Sequence, residues 1–434
     1  MMALGDPIAK NRASLVASKI FLIFLIVLYF ILCFTPLRLH YDSIRYFAIK
    51  DCLELGCPPD SDAAKDFFPF GYTALLLLYS KLGILHSFSI VFTNALYLFG
   101  GLLFLYKVFD KSISPISLFV LVLCNWLFIK FVTHPLSEMQ YLFLSMACVY
   151  YFHQYTQTRK LLFLLLAIFL SWLALQTRTI GISLVAGIGV GLVWEYKNSM
   201  MLFLKKNKLL VGAAVILIVA AVILFARQLG LYHYFNVFTT HLKETSFLTR
   251  LGWHFTEWGE VFLNMPSGKA IEKLPSTIGS SLFVIVGVLL FAWFSFSFFR
   301  SKAIPFYLKA YIFFYCIILF NWPFADPRFW VPILPVMVVT VLQAPLERFN
   351  WTKIAGRLVA LVYIVMGMLS AGFMLYSSFN KSFFAKTQAN GVYQKEYEMH
   401  FFGKVSIDTA TSTRHADTTY IVNPAIVDLL KRHD

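Results

Sequence analysis

Apolar runs of roughly 20 residues recur along most of the chain, and each is long enough to cross a hydrocarbon core of about 30 Å as a helix. The pattern predicts spans at 17–35, 88–108, 113–132, 138–155, 161–176, 180–195, 209–226, 278–298, 305–320, 328–344 and 354–376. A transmembrane barrel would instead alternate apolar and polar positions. The expected fold class is therefore all-α: a polytopic membrane protein of about 11 transmembrane helices. One further apolar stretch, 69–83, is too short to cross. It opens on Pro69 and reads as an interfacial or re-entrant helix.

Composition narrows the class further. The chain has 434 residues, 59% of them hydrophobic and only 14% charged. Soluble domains carry about 25% charged residues, so a soluble enzyme is excluded. The net charge of +15 is a matter of loop topology rather than nucleic acid, which is not an expected partner. No small-residue cleavage site follows the first apolar run, so no cleaved leader is expected.

The charges also orient the chain. With 69–83 not crossing, one face receives Lys10, Arg12, Lys19, Lys107, Lys111, Arg159, Lys160, Lys197, Lys205, Lys206, Lys208, Arg300, Lys302, Arg348, Lys353 and Arg357. Only Asp6, Asp110, Glu195 and Glu347 oppose them there, while the other face is nearly balanced. The positive-inside rule makes the first face cytoplasmic. The polar mass then lies outside, in loops 36–87 and 227–277 and in the tail. This divides the chain into a transmembrane unit, 1–377, and a short extracytoplasmic cap, 378–434. No internal repeat relates the halves, which weighs against many carrier architectures.

Six cysteines are present. Cys33, Cys124, Cys148 and Cys316 fall in or at the ends of apolar spans and read as small hydrophobes. Cys52 and Cys57 share the first outer loop, where a local disulfide or two reduced thiols are both open. A zinc site is not indicated, because no second pair has ligand spacing.

The candidate chemistry sits at the outer ends of spans. Asp42 lies just beyond the first span, at the start of a helix with Ile44, Phe47 and Ala48 expected toward lipid. It either caps that helix or serves as a carboxylate able to take a proton. Glu138 opens the fourth span, where the helix dipole favours it, and it can equally face the same outer cavity. His134 with Glu138 is a weak metal pair. Arg178 and Arg328 sit at the outer interface against the charge bias. Either they reach lipid headgroups, with Asp326 as a structural partner for Arg328, or they bind phosphate bidentately. Loop 227–277 adds His233, His241 and His254 among tryptophans and acids, and most of these read as surface histidines.

The order of these motifs resembles the GT-C superfamily of integral-membrane glycosyltransferases, including protein O-mannosyltransferases and the lipid A aminoarabinose transferases. The matching stretches are Asp42 with Tyr46 after the first span, and Pro69-Phe70-Gly71-Tyr72 in the same loop. Glu138 after His134-Pro135, Arg178 to Gly181, and Pro327-Arg328 to Pro332 complete the set. They cover residues 17 to about 340. The stretch at Asp42 reads Asp-Ser where many members have Asp-Glu, which leaves Asp42 the only acid there.

The resemblance implies transfer of a sugar from a polyprenyl-phosphate donor to an extracytoplasmic hydroxyl, with inversion. Asp42 would be the base and Glu138 a second catalytic carboxylate. Arg178 and Arg328 would hold the donor phosphate. Tyr46, Tyr72 and His134 would contact substrate. No organic cofactor is implied, and a divalent metal ion is left open with His134 and Glu138 as candidate ligands. Expected partners are the lipid-linked donor, membrane lipid, and a glycan, lipid or protein acceptor. The expected location is a cell inner membrane with the active face in the periplasm. Rival readings are a lipid-linked oligosaccharide polymerase or ligase and a flippase for lipid-linked sugars. A flippase calls for charged residues through the mid-bilayer. Only Lys130 and Lys309 come close, and both lie near span ends.

Overall fold

The computed structural model describes residues 7–110, 112–197, 231–268, 276–343, 350–405 and 422–434. The expected span 209–226 lies outside them. Among the described residues the chain is all helix and turn, with no strand. Three helical stretches are long and apolar enough to cross a membrane: Ser87–Phe109, Ser281–Arg300 and Leu358–Phe379. Shorter apolar helices run over Val16–Leu32, Leu161–Thr177, Thr179–Glu195, Phe306–Asn321 and Leu334–Gln343.

The first helix, α1 (Pro7–Leu32), leads through Pro36 to α2 (Tyr41–Leu55). The chain continues as a short α3 (Asp62–Lys65) and α4 (Phe70–Lys81), the latter opened by Pro69. Pro69 suits a helix start because its ring pre-sets φ and its missing N–H is not needed there. Next come α5 (Ser87–Phe109) and, after the break described below, α8 (Glu138–Thr158). Gly100 and Gly101 let α5 approach Leu142 and Phe143 of α8 closely.

The stretch expected as one span at 113–132 is two helices, α6 (Pro115–Leu123) and α7 (Trp126–Phe131). The cause is Asn125, whose Oδ1 accepts from Leu127 N at 3.0 Å and starts the second helix. Asn264 repairs the interruption. Its Nδ2 donates to Cys124 O at 2.8 Å and its Oδ1 accepts from Trp126 N at 2.7 Å. Backbone groups freed inside an apolar bundle need such partners.

The chain continues through α9 (Leu161–Thr177), a 3-10 turn at Thr179–Gly181 and α10 (Ile182–Glu195). Two amphipathic helices follow further along the chain, α11 (Leu231–Glu244) and α12 (Phe247–Leu263). Helix α12 packs antiparallel on α13 (Ser276–Arg300), with Gly259 against Phe283 and Gly287 against Phe255. Helix α14 (Phe306–Asn321) packs on α10 in the same manner, Gly187 meeting the Tyr311 backbone and Gly191 the Tyr307 side chain.

The expected span 328–344 is likewise broken. A 3-10 turn, Pro327–Trp330, precedes α15 (Leu334–Gln343). Pro332 and Pro335 lack the N–H groups that would extend the helix back toward Arg328. After α16 (Asn350–Phe379) the tail forms α17 (Lys381–Thr387), α18 (Gln394–Phe402) and α19 (Pro424–His433).

The tail and the end of α16 are clasped to the segment between α1 and α2 by buried polar bonds. Arg38 donates to Gln388 Oε1 at 3.1 Å, Ser377 Oγ at 3.0 Å and Ser378 Oγ at 2.8 Å. Tyr397 Oη donates to Leu37 O at 2.7 Å and accepts from Leu39 N at 2.8 Å. Phe47 is fully buried and stacks on His433 at 5.1 Å. The expectation that Phe47 faces lipid is therefore corrected: α19 covers that face of α2. The Cys52–Cys57 disulfide is formed at the far end of α2, Cα to Cα 4.8 Å.

Two outcomes are expected from this packing. A thiol reagent should leave Cys52 and Cys57 unlabelled until the protein is reduced, as mass spectrometry would show. A Cβ on Gly187 would stand 2.6 Å from Tyr311 Cα. Gly187→Val should thus lower the thermal midpoint in detergent, by an overpacking cost of about 1–3 kcal/mol.

Candidate active site

A cavity of about 620 Å³ opens where the N-termini of α2 and α8, the ends of α9 and α14, and the Pro327–Trp330 turn meet. Asp42, Glu138, Arg178 and Arg328 all line it. Four residues singled out in separate outer junctions thus converge on one space.

Local chemistry explains each position. His40, rather than Asp42, caps α2: its Nδ1 accepts from Asp42 N at 3.3 Å, and His40 N donates to Ser43 Oγ at 3.2 Å. The Asp42 carboxylate is thereby left free for a side-chain partner, which is Arg328. Arg328 also meets Asp326 at 2.8 Å and Glu138 at 3.8 Å. Arg178 pairs with Glu138 and donates to Ser137 Oγ at 3.3 Å. Glu138 is 1% exposed, and its Oε2 has no hydrogen-bond partner among the described residues. Burial pushes the Asp42 carboxyl up, but Arg328, His40 and Arg45 outweigh it and hold the group below its ordinary range. The opposed charges thus favour the ionised form of Asp42.

The wall nearest α4 is aromatic. Arg45 makes a two-pronged contact with Asp66, both at 2.8 Å, and lies over Phe68 at 3.6 Å and Phe67 at 4.8 Å. A chain of rings then crosses the mouth. Phe67 meets Tyr234 at 5.0 Å, Tyr234 meets Trp322 at 5.7 Å, and Trp322 meets Phe324 at 5.8 Å. Ile180, Ile182, Val237, Ile318 and Leu319 extend an apolar side of the same cavity.

The segment that carries Asp326 and Arg328 is clamped at both ends by α12. His254 Nε2 donates to Trp322 O at 2.9 Å, and Trp330 Nε1 donates to Glu257 Oε2 at 2.7 Å. His254 Nδ1 and Glu257 Oε2 lie 2.8 Å apart, which closes the unit. Both side chains are buried. Desolvation raises the Glu257 carboxyl. It acts to lower His254, but the Glu257 partner outweighs it and leaves that imidazole raised.

Three expected contacts are placed differently. Tyr46 lines the cavity and its Oη donates to Ser137 Oγ at 2.9 Å. Tyr72 packs edge-on behind Tyr46, ring centroids 4.9 Å apart, and is fully buried off the cavity wall. His134 is also buried away from the cavity. Its Nδ1 donates to Lys130 O at 2.9 Å, and Gln388 Nε2 reaches its Nε2 at 3.3 Å. With both ring nitrogens engaged there, His134 is corrected from a substrate contact to a brace beneath the tail. The same bonds remove the His134–Glu138 metal pair, and no three metal-ligating side chains group together among the described residues.

The sequence reading passed over His40, Arg45, Tyr234 and Trp322 as site residues. Their signal was faint: a histidine two residues before Asp42, and aromatics that read first as an interfacial belt. No protein-family model, curated protein or solved structure matches the chain.

Removing the Glu257 carboxylate should loosen the turn that carries Arg328. Glu257→Ala leaves Trp330 Nε1 and His254 without their acceptor inside the protein, at a cost of about 1–3 kcal/mol. Glu257→Gln retains one acceptor oxygen and should lose less. Thermal unfolding in detergent compares the two.

Proposed function

We propose that the chain is a membrane glycosyltransferase that moves a sugar from a polyprenyl-phosphate donor to an extracytoplasmic hydroxyl. The observation that carries this reading is the convergence of Asp42, Glu138, Arg178 and Arg328 on one cavity. The GT-C resemblance, eleven spans and the periplasmic orientation belong to the same proposal. A lipid-linked donor suits a cavity with charged residues at one side and Ile180, Ile182, Ile318 and Leu319 at another.

In the proposed reaction the acceptor oxygen attacks the anomeric carbon from the face opposite the phosphate. The bond from that carbon to the phosphate oxygen breaks, and the configuration inverts. Asp42 takes the hydroxyl proton. Arg178 and Arg328 hold the charge that grows on the departing polyprenyl phosphate. Glu138 keeps both guanidiniums aimed at that point, being paired with one and near the other. The phosphate competes with Asp42 for Arg328, so donor binding frees the carboxylate when the acceptor arrives.

The test uses protein in lipid nanodiscs with a panel of polyprenyl-phosphate sugars, scored by release of polyprenyl phosphate. Asp42→Asn should keep the fold and lose transfer by about 10²–10⁴-fold. Near-normal turnover in that variant removes Asp42 as base. Arg328→Lys keeps a charge among the carboxylates but loses the fork, so donor binding should weaken. Tight binding without turnover for any donor would favour a flippase. Neither binding nor turnover would favour the polymerase or ligase.

A further inference from the structure

His40 is an unusual helix cap. Ser, Thr, Asp and Asn serve that position best, and any of them would satisfy the α2 amide. A histidine differs in having a second nitrogen. Here Nδ1 accepts from Asp42 N, so the neutral ring carries its proton on Nε2. His40 lines the cavity, and its hydrogen bonds among the described residues are made by the backbone N and by Nδ1, not by Nε2. The charged groups around it are Arg328, Asp42, Asp326 and Glu138. Burial and the Arg328 charge both lower its pKa, which favours the neutral form.

We propose that His40 is a substrate-binding residue whose Nε2–H donates to a phosphate oxygen of the lipid-linked donor, beside Arg328. This rests on the glycosyltransferase reading for the identity of the phosphate. The physical case is one of division of labour. The α2 amide holds one nitrogen and so fixes which way the ring faces and which nitrogen bears hydrogen. The other nitrogen offers a neutral donor to an anionic oxygen. That N–H donor is neutral, so it adds a hydrogen bond without changing the charge set by Asp42, Asp326 and Glu138 against Arg178 and Arg328. A phosphate oxygen is favoured over a sugar hydroxyl because Arg328 is the nearby group that would anchor the same phosphate.

The probes are a polyprenyl monophosphate and the matching polyprenol, bound to protein in nanodiscs. His40→Ser keeps an oxygen to cap α2 and removes the ring. Wild type should prefer the phosphate over the alcohol. His40→Ser should bind the phosphate roughly tenfold more weakly, the size of one hydrogen bond to a charged group, with alcohol binding unchanged. Equal phosphate affinity in His40→Ser overturns the assignment while leaving the glycosyltransferase reading intact. Equal loss for phosphate and alcohol also overturns it, since only cavity shape then changed. No phosphate preference in wild type overturns the reading and the assignment together. A measurement on wild type stands independently of any variant. In ¹⁵N-histidine-labelled protein, His40 should show the Nε2–H tautomer, with that signal moving on addition of the monophosphate. The Nδ1–H tautomer would overturn the assignment.

Discussion

The guanidinium of Arg328 is the point on which the cavity and the elements around it depend. It is 7% exposed and meets Asp42, Asp326 and Glu138. Two unit charges 4 Å apart attract by about 4 kcal/mol at the effective dielectric near a protein surface. A buried cation without partners would be costly, and so would the buried Glu138 beside the half-buried Asp42 and Asp326 without it. Each therefore requires the other. Arg328 joins the start of α2, the start of α8 and the turn before α15 into one rigid arrangement.

Around this centre the protein spends most of its polar side chains on bracing. Helix α12 grips the Arg328 segment through His254 and Glu257. The tail grips the segment before α2 through Arg38 and Tyr397. Arg38 has no carboxylate among its bonded partners. It is held by hydroxyls, a carbonyl and an amide oxygen. Such a site fixes position through many directed bonds, without the strong field of an ion pair. The cavity thus gathers Asp42, Asp326, Glu138, Arg178 and Arg328, while Arg38 and Tyr397 brace it through uncharged partners.

Much of the site was legible because charge is scarce in this chain. Asp42, Glu138, Arg178 and Arg328 stood out as ionised groups at the outer ends of apolar runs, and the structure brings all four to one cavity. The helical class and the Pro69-led helix followed from periodicity and proline chemistry. What hydropathy could not show was the break at Asn125. Both sides of it are equally apolar, and it is stabilised by Asn264, 139 positions away. His134 misled for a related reason. Its place beside Glu138 in sequence says nothing about which face the turn presents, and Lys130 and Gln388 decide that. Phe47 was assigned to lipid because nothing near it in sequence announces that α19 returns to cover α2.

The pairing of Asp42 with Arg328 spans 286 positions of chain. At about 5–20 residues per second, a ribosome needs on the order of a minute or less to make the intervening polypeptide. Through that interval Asp42 and Glu138 wait at the membrane surface with only Arg178 and Arg45 for company. The early helices must therefore be inserted with a cluster of acids that water, and not protein, keeps solvated. The cavity gains Arg328 as a partner for these acids only after the tenth apolar run has been made. Assembly of this cavity is thus one of the last events in the biogenesis of the chain, set by the order of synthesis itself.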